Sequence, residues 1–365
     1  MGVSSKSRTA AGALLAVLAA AALGAFTFEE SLHAASPPEG PDRLQALLTA
    51  NRPEIERMKA GLAAGESRPE WARIRASIDS AAHQRDAAWS GLYWYTSLSE
   101  ALAAAKREGK PVLSLRLLGN LDEELSCANS RFFRTALYAN AAISDELRRN
   151  WILHWESVRP APKVTIDFGD GRTLTRTITG NSLHYVLDAD GRARDVIPGL
   201  FGPGDFLRMV REAAAVLDKA GGALLPSSPF KANLSSSSLD PNSISLMRAK
   251  APRVSDAAFA RMVAAFERSL AEDSARNAQM RLAILPWLAG ASSLPALTDR
   301  IYRDAFLTPR SDPWLGLVTP DAYVAIEGEP APERSGPDAR TAGALTASKM
   351  IVERPLLAKV APASR

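Results

Sequence analysis

The chain has 365 residues, of which 46% are hydrophobic and 23% are charged, and it carries a formal net charge of +4. This length and apolar content predict two folded units with flexible ends. Because basic and acidic residues alternate, and no basic stripe is interleaved with aromatic residues, we expect no binding to nucleic acid.

The N-terminal segment, residues 1–34, has the layout of an export signal. Lys6 and Arg8 precede an uncharged apolar run over residues 10–26, which is the arrangement of a signal peptide. The alanine pair at 34–35 offers a cleavage point, and the run is at the short end of the ~20 residues that a spanning helix needs. We therefore expect an extracytoplasmic protein, periplasmic or secreted, that is either cleaved here or membrane-associated through this segment alone.

Residues 35–90 are predicted to form a linker followed by helices. Several prolines and a glycine over residues 36–51 indicate the linker. From residue 53 to residue 85 apolar side chains recur at helical spacing, which favours two short helices.

The region 91–220 is predicted to alternate strands and helices. Ser97 is a cap for a helix that Gly109 ends. The apolar run 111–118 indicates a buried strand, although Arg116 interrupts it, and a polar loop then leads to Cys127 at the start of a second helix.

After this helix the sequence predicts five strands and a closing helix. In chain order they are 151–157, 164–168, 172–178, 183–187 and 193–197, then the helix 203–218. Alternating side chains indicate the first strand, and Asp- and Gly-containing turns join the other four into two hairpins.

Three further segments complete the predicted organisation. Residues 221–253 are rich in Gly, Pro and Ser and are predicted to be a linker. Residues 254–328 are predicted to be a helical subdomain, whose clearest helix starts at Ser255, and residues 329–365 a flexible tail.

The order of elements in the central region resembles the thioredoxin-like superfamily. A strand, a cysteine at a helix start, another strand, a hairpin and a final helix follow one another. The segments that carry the resemblance are 110–113 (Lys-Pro-Val-Leu), 127–130 (Cys-Ala-Asn-Ser) and 187–191 (Leu-Asp-Ala-Asp-Gly). The resemblance covers about a third of the chain, and it implies an α/β domain of the thioredoxin type with helical extensions on both sides.

The resemblance implies Cys127 and Ser130 as the site residues. Free N–H groups at a helix start favour a thiolate. Arg131 and Arg134 add to this effect, whereas the acidic residues 122–124 oppose it. Ser130 stands where most of these oxidoreductases have a second cysteine, so the chain resembles the monothiol C-x-x-S members, which form mixed disulfides with a protein thiol or a small thiol.

One position departs from the family pattern. The cis-proline that precedes the third strand of these proteins falls at Ser182, after Asn181. Without proline a cis bond costs about 3–4 kcal/mol, so we expect a trans peptide bond there. Substrate backbones dock against that proline in the family, so its absence argues against the binding of thiol substrates.

Two hypotheses on function follow. The first is monothiol thiol-disulfide exchange through Cys127, which is the only cysteine and so forms no intrachain disulfide. The alternative is a catalytically inactive thioredoxin-fold module for binding or assembly in the cell envelope, with Cys127 as a small buried residue that packs the helix start.

No cofactor or metal is implied by the sequence. His154 and His184 fall in strands predicted to flank the central strand on opposite sides, so we do not expect them to share a metal. The sequence has no G-x-S-x-G, no H-E-x-x-H and no phosphate-binding glycine loop, and hydrolase and nucleotide-binding functions are therefore without support.

Overall fold

The computed structural model describes residues 39–177, 180–217 and 234–312. The predicted export signal, the predicted flexible tail and the part of the predicted helical subdomain after residue 312 lie outside these ranges. No helix within them combines the length and hydropathy that crossing a membrane requires.

Four helices open the described chain: α1 (Gly40–Ala50), α2 (Arg52–Ala63), α3 (Pro69–Ala82) and α4 (Ala87–Ser90). The sequence favoured a linker to residue 51 and two helices after it, so the structure differs there. α1, α2 and α3 each have a proline in the first turn, where its missing N–H needs no partner. Pro41, one of the prolines that favoured a linker, therefore lies in the first turn of a helix.

These helices form a small core of their own. Trp71 is completely buried between α2 and α3, and its Nε1 donates to Glu54 at 2.6 Å. The other large buried side chains of this core are Leu44, Ile55, Met58, Ile78, Trp89 and Leu246.

Six strands follow in chain order: β1 (Val112–Leu118), β2 (Ile152–Arg159), β3 (Lys163–Asp167), β4 (Thr173–Thr177), β5 (Leu183–Leu187) and β6 (Ala193–Pro198). Four of them form one sheet in the order β2-β1-β5-β6, and β3 pairs with β4 in a separate two-stranded sheet. In the larger sheet β1 is parallel to β2 and antiparallel to β5, and β6 is antiparallel to β5. The described chain is therefore of the mixed α/β class, as predicted.

The helices of the central region are α5 (Leu98–Glu108), α6 (Ala128–Phe132), α7 (Ala141–Asn150) and α8 (Pro203–Leu217). Ser97 caps α5 by accepting the N–H of Glu100, and Gly109 ends it at φ +65°, both as predicted. α6 continues into one π-helical turn, Phe133–Leu137. α6 and α8 cover one face of the larger sheet, where Phe133 and Phe206 contact the ring of His184.

The C-terminal helices share the core of the sheet. After a 3-10 turn (Leu234–Ser237) come α9 (Pro241–Lys250), α10 (Asp256–Ala289) and α11 (Leu294–Arg300), and the last continues into a π-helical turn, Ile301–Ala305. One continuous cluster of buried residues joins the sheet to α10 and α11. Residues 234–253 differ from the linker that composition predicted, because Asp240 caps a full helix there by accepting the N–H of Ser243.

α11 covers the sheet face opposite α6. On that face the hydroxyl of Tyr185 in β5 lies 3.1 Å from Thr298 Oγ1. Arg116, which interrupts the apolar run of β1, is buried on the same face and pairs with Glu156 at 3.0 Å. The connection from β2 to β5 is the hairpin β3–β4, which contains no helix that could cover this face of the sheet. The C-terminal helix α11 covers it instead.

Replacing Arg281 with methionine is expected to destabilise the protein by about 3–5 kcal/mol, because it leaves a carboxylate buried without its counter-charge. Arg281 Nε and Nη2 lie 3.0 and 2.5 Å from the two oxygens of Asp195, whose side chain is completely buried. Urea unfolding measures the loss. The double variant Arg281→Met, Asp195→Asn is the matched control and should recover most of it, whereas a loss below ~1 kcal/mol in the single variant contradicts the argument.

Candidate functional site

Cys127 is the N-cap residue of α6, at the end of the loop that follows β1. Its backbone is extended, with φ −58° and ψ 162°, and its Sγ accepts the N–H of Ser130 at 3.4 Å. Its own N–H donates to the carbonyl of Leu118 at 3.1 Å, which fixes the helix start to the end of β1. The sulfur therefore takes the place that a capping oxygen usually occupies.

Ser130 closes this turn from the other side. Its hydroxyl donates to the carbonyl of Cys127 at 2.9 Å, and its Oγ lies 3.5 Å from the sulfur. The structure thus brings together the two site residues that the sequence indicated. Both are completely buried, at 0% exposure.

The charged neighbours of the cysteine are engaged elsewhere. Arg131 donates to Thr177 Oγ1 at 2.8 Å. Arg134 is buried and donates to the carbonyls of Glu123 and Glu124, at 3.0 and 3.4 Å, so it holds the loop before the cysteine. The sequence predicted that both arginines would stabilise a thiolate at Cys127. In the structure they instead bind Thr177 and the carbonyls of the preceding loop.

A charge network anchors the same loop to the N-terminal helices. Lys250 Nζ lies 2.8 Å from Asp86 and 3.6 Å from Glu124, and Arg85 pairs with Glu124 at 3.1 Å. Burial alone would raise the pKa of Asp86, but Lys250 and the neighbouring arginines hold it below its usual value. Burial raises the pKa of Asp79 in the same network to about 6. These ionisable groups are paired with one another and hold the loop in place.

Two chain segments cover Cys127 from the outside. Thr177, at the end of β4, donates its hydroxyl to the carbonyl of Ser126 at 3.3 Å. Gly180 approaches α6 so closely that a Cβ there would lie 2.9 Å from the backbone nitrogen of Asn129. Thr177 and Gly180 therefore pack against the start of the helix.

The π-helical turn after α11 completes the cover. Tyr302 is completely buried there, and its hydroxyl donates to the carbonyl of Asn181 at 2.9 Å. Burial raises the pKa of Tyr302 well above its usual value, and the neighbouring Cys127 raises it further. Asn181 in turn donates to Thr308 Oγ1 at 2.7 Å. The C-terminal segment thus holds both the backbone carbonyl and the side chain of Asn181.

One residue of this covering segment has an unfavourable backbone conformation. Leu307 adopts φ +55°, a conformation that side chains with a Cβ rarely adopt, and its side chain is 44% exposed. A hydrogen bond of 2.8 Å from Thr308 N–H to the carbonyl of Tyr302 closes the turn. Arg159, at the end of β2, donates to the carbonyl of Asp312 at 2.6 Å. Contacts at both ends therefore hold the segment in place.

The position that corresponds to the family's cis-proline is Ser182. The peptide bond before it is trans, as the sequence led us to expect. Ser182 is completely buried, and its Oγ has no hydrogen-bond partner among the residues that the structure describes. The carbonyl of the preceding residue, Asn181, accepts the hydrogen bond from the hydroxyl of Tyr302.

The two histidines lie on opposite faces of the sheet. His154 Nδ1 lies 2.8 Å from Ser114 Oγ, and His184 Nε2 lies 2.7 Å from the hydroxyl of Tyr138. Burial lowers the pKa of both side chains to about 3, and for His154 the charge of Arg116 adds to this. Both are therefore neutral hydrogen-bonded core residues at neutral pH. Within residues 39–177, 180–217 and 234–312, no group of three or more His, Cys, Asp or Glu is arranged to hold a metal ion.

A cleft of about 220 Å³ lies away from the cysteine, between α1 and the edge of the larger sheet. Tyr93 and Tyr95 line it, together with Leu44 and Trp151. No signal in the sequence pointed to Tyr302, because no local pattern specifies a hydrogen-bond partner 121 residues away.

Comparison with known proteins adds no assignment: no family model matches the sequence, and no curated protein matches it.

Proposed function

We propose that this chain is an exported thioredoxin-like protein that acts as a binding or assembly module, in which Cys127 is a structural cap for α6. The observation that carries the proposal is the complete burial of Cys127 at a helix start that Thr177, Gly180 and Tyr302 surround. A thiol that exchanges disulfides must be reached by a partner sulfur. Here the space for that partner is occupied by the chain itself.

The thioredoxin-like part of the proposal is supported by the topology. The central strand β1 leads to a helix capped by the cysteine, its neighbour β2 is parallel, and β5 and β6 are antiparallel beside it. Tyr95 adds a single parallel bridge to His154 on the outer side of β2. Export is supported by the charge and hydropathy pattern of residues 1–34.

Monothiol exchange is the second candidate, and one observation favours it. The sulfur accepts the N–H of Ser130 at 3.4 Å, which is the interaction that stabilises a thiolate at a helix start. In this function the Cys127 thiolate would attack a partner disulfide, form a mixed disulfide and release the other partner sulfur as a thiolate. An external thiol would then regenerate Cys127. The reaction requires Tyr302 and Thr308 to leave Asn181 first.

Substitution of Cys127 separates the two functions. We expect Cys127→Ser to retain the partners that co-purify with the wild type from its native compartment, because serine also caps a helix. Cys127→Ala should lose about 0.5–2 kcal/mol of stability in urea unfolding, because the cap is removed. Partners that are trapped through mixed disulfides by the wild type and lost from Cys127→Ser would instead establish the exchange function.

A further inference from the structure

The hairpin β3–β4 stands apart from the main sheet as a two-stranded ribbon. All five residues of β3 are exposed. An isolated two-stranded ribbon is marginally stable in water, and an exposed strand edge carries unpaired backbone groups that pair readily with another strand. The hairpin therefore has the properties of a surface that is completed by a further strand.

The side chains of β3 on one face of the ribbon are apolar, and Arg176 of β4 lies opposite Val164 on that face. Val164, Ile166 and Phe168 follow one another on this face at 38%, 45% and 53% exposure. Leu174 lies opposite Ile166 on the same face. The other face carries Thr165 and Thr175, whose hydroxyls lie 2.9 Å apart. An exposed apolar row of this kind is typical of an interaction surface.

The pairing within the hairpin identifies which backbone groups of β3 have no partner among the residues that the structure describes. The N–H of Phe168 donates to the carbonyl of Arg172 at 3.1 Å. Since inward and outward groups alternate along an antiparallel strand, Ile166 and Val164 also direct their N–H and C=O groups at β4. The groups of Lys163, Thr165 and Asp167 therefore point to the outer edge.

We infer that β3 pairs antiparallel with β3 of a second copy of this chain, about a two-fold axis at Thr165. The sequence of the strand, Lys-Val-Thr-Ile-Asp, is complementary to itself when reversed. Lys163 of each copy then lies opposite Asp167 of the other, Val164 opposite Ile166, and Thr165 opposite Thr165. Both charge pairs and both apolar pairs are favourable cross-strand neighbours.

The register also matches the free backbone groups. Lys163, Thr165 and Asp167 are the residues that face outward, and in this pairing they bond to one another across the two-fold axis. The apolar rows of the two copies join on one face of the resulting four-stranded sheet. The outer edge of β4, Thr-Leu-Thr-Arg-Thr, lacks this property, because reversal places Arg176 opposite Leu174.

The interface is short, so the dimer is expected to depend on concentration. Five residues a side bury less than the ~1,000 Å² of a stable interface. Sedimentation velocity of the full chain should therefore show monomer at low micromolar concentration and a growing dimer fraction toward ~1 mM. This inference goes beyond the proposed function, and either one can fail without the other, because the hairpin edge does not include Cys127.

Charge reversal tests the register. In the dimer, Lys163→Asp places the new aspartate of each copy opposite Asp167 of the other. Asp167→Lys likewise places the new lysine of each copy opposite Lys163 of the other. Each variant alone should therefore shift the dimerisation midpoint at least tenfold to higher concentration. The double variant Lys163→Asp, Asp167→Lys restores both pairs and should dimerise as the wild type does. A double variant as weak as the single ones overturns the proposed register.

Proline substitution tests the edge. Thr165→Pro removes an outward N–H of β3, which a free edge tolerates but a paired edge does not, and it should abolish the dimer. Thr175→Pro is the matched control on the outer edge of β4. It loses the same hydroxyl pair and should leave dimerisation unchanged, while circular dichroism confirms that both variants fold. Wild-type protein that stays monomeric to ~1 mM, or loss of the dimer in Thr175→Pro alone, overturns the proposal.

Discussion

Replacing Tyr302 with alanine is expected to speed the alkylation of Cys127 in the native protein on the order of 100-fold. The substitution destabilises the closed state by ~3 kcal/mol of lost packing, so a larger fraction of molecules exposes the thiol. In the wild type the sulfur is completely buried, so a reagent reaches it only when the segments that cover it open. Tyr302 both fills this space and binds the Asn181 carbonyl at 2.9 Å. Labelling with iodoacetamide at neutral pH, followed by mass spectrometry, measures the rate.

Phe206→Ala is the control for this experiment. Phe206 is also buried, at 1% exposure, and lies on α8, on the sheet face opposite α11, where it contacts His184. Its loss should lower global stability by a similar amount without opening the cover. If both variants label Cys127 equally fast, the thiol becomes accessible by global unfolding, and the cover described for Tyr302 has no local role.

Acidification is expected to unfold the protein through its two buried histidines. The pKa of His184 in the folded chain is about 3, against 6.5 in the unfolded chain, so the folded state keeps it neutral. The stabilisation is therefore complete above pH 6.5 and is lost as the pH falls toward 3. At roughly 1.4 kcal/mol for each pKa unit, the loss reaches about 5 kcal/mol for this histidine.

His184→Gln removes this titration while leaving an acceptor for the hydroxyl of Tyr138. The variant should be less stable than the wild type at pH 7, and the difference should shrink steadily between pH 6.5 and pH 4 in urea unfolding. His83→Gln, at the partly exposed end of α3, controls for the substitution itself. A stability difference between wild type and His184→Gln that is constant with pH would show that His184 is not buried in neutral form.

The elements that the sequence predicted well are those with local signals. Ser97 and Gly109 define both ends of α5, and turns rich in Asp and Gly define both hairpins. Cys127 falls at the start of α6 as expected. In each case the physical cause lies within a few residues of the signal, because caps and tight turns satisfy the backbone of their own neighbours.

The differences arise where distant contacts decide the structure. Residues 234–253 have the composition of a linker, yet Asp240 caps α9, and Asn242 of that helix donates to the carbonyls of Trp89 and Ala139. The placement of Tyr302 also depends on a distant contact, because its hydrogen bond to Asn181 spans 121 residues. Periodicity predicts that such a helix forms but not the surface on which it packs.

The cover that α11 gives to the sheet also dictates when the protein can finish folding. Thr298 meets Tyr185 across 113 residues of sequence, and Arg116 stays on an open surface until that contact forms. An emerging chain that stops before residue 294 is expected to display this uncovered sheet face to solvent and to aggregate more readily than a chain that includes α11.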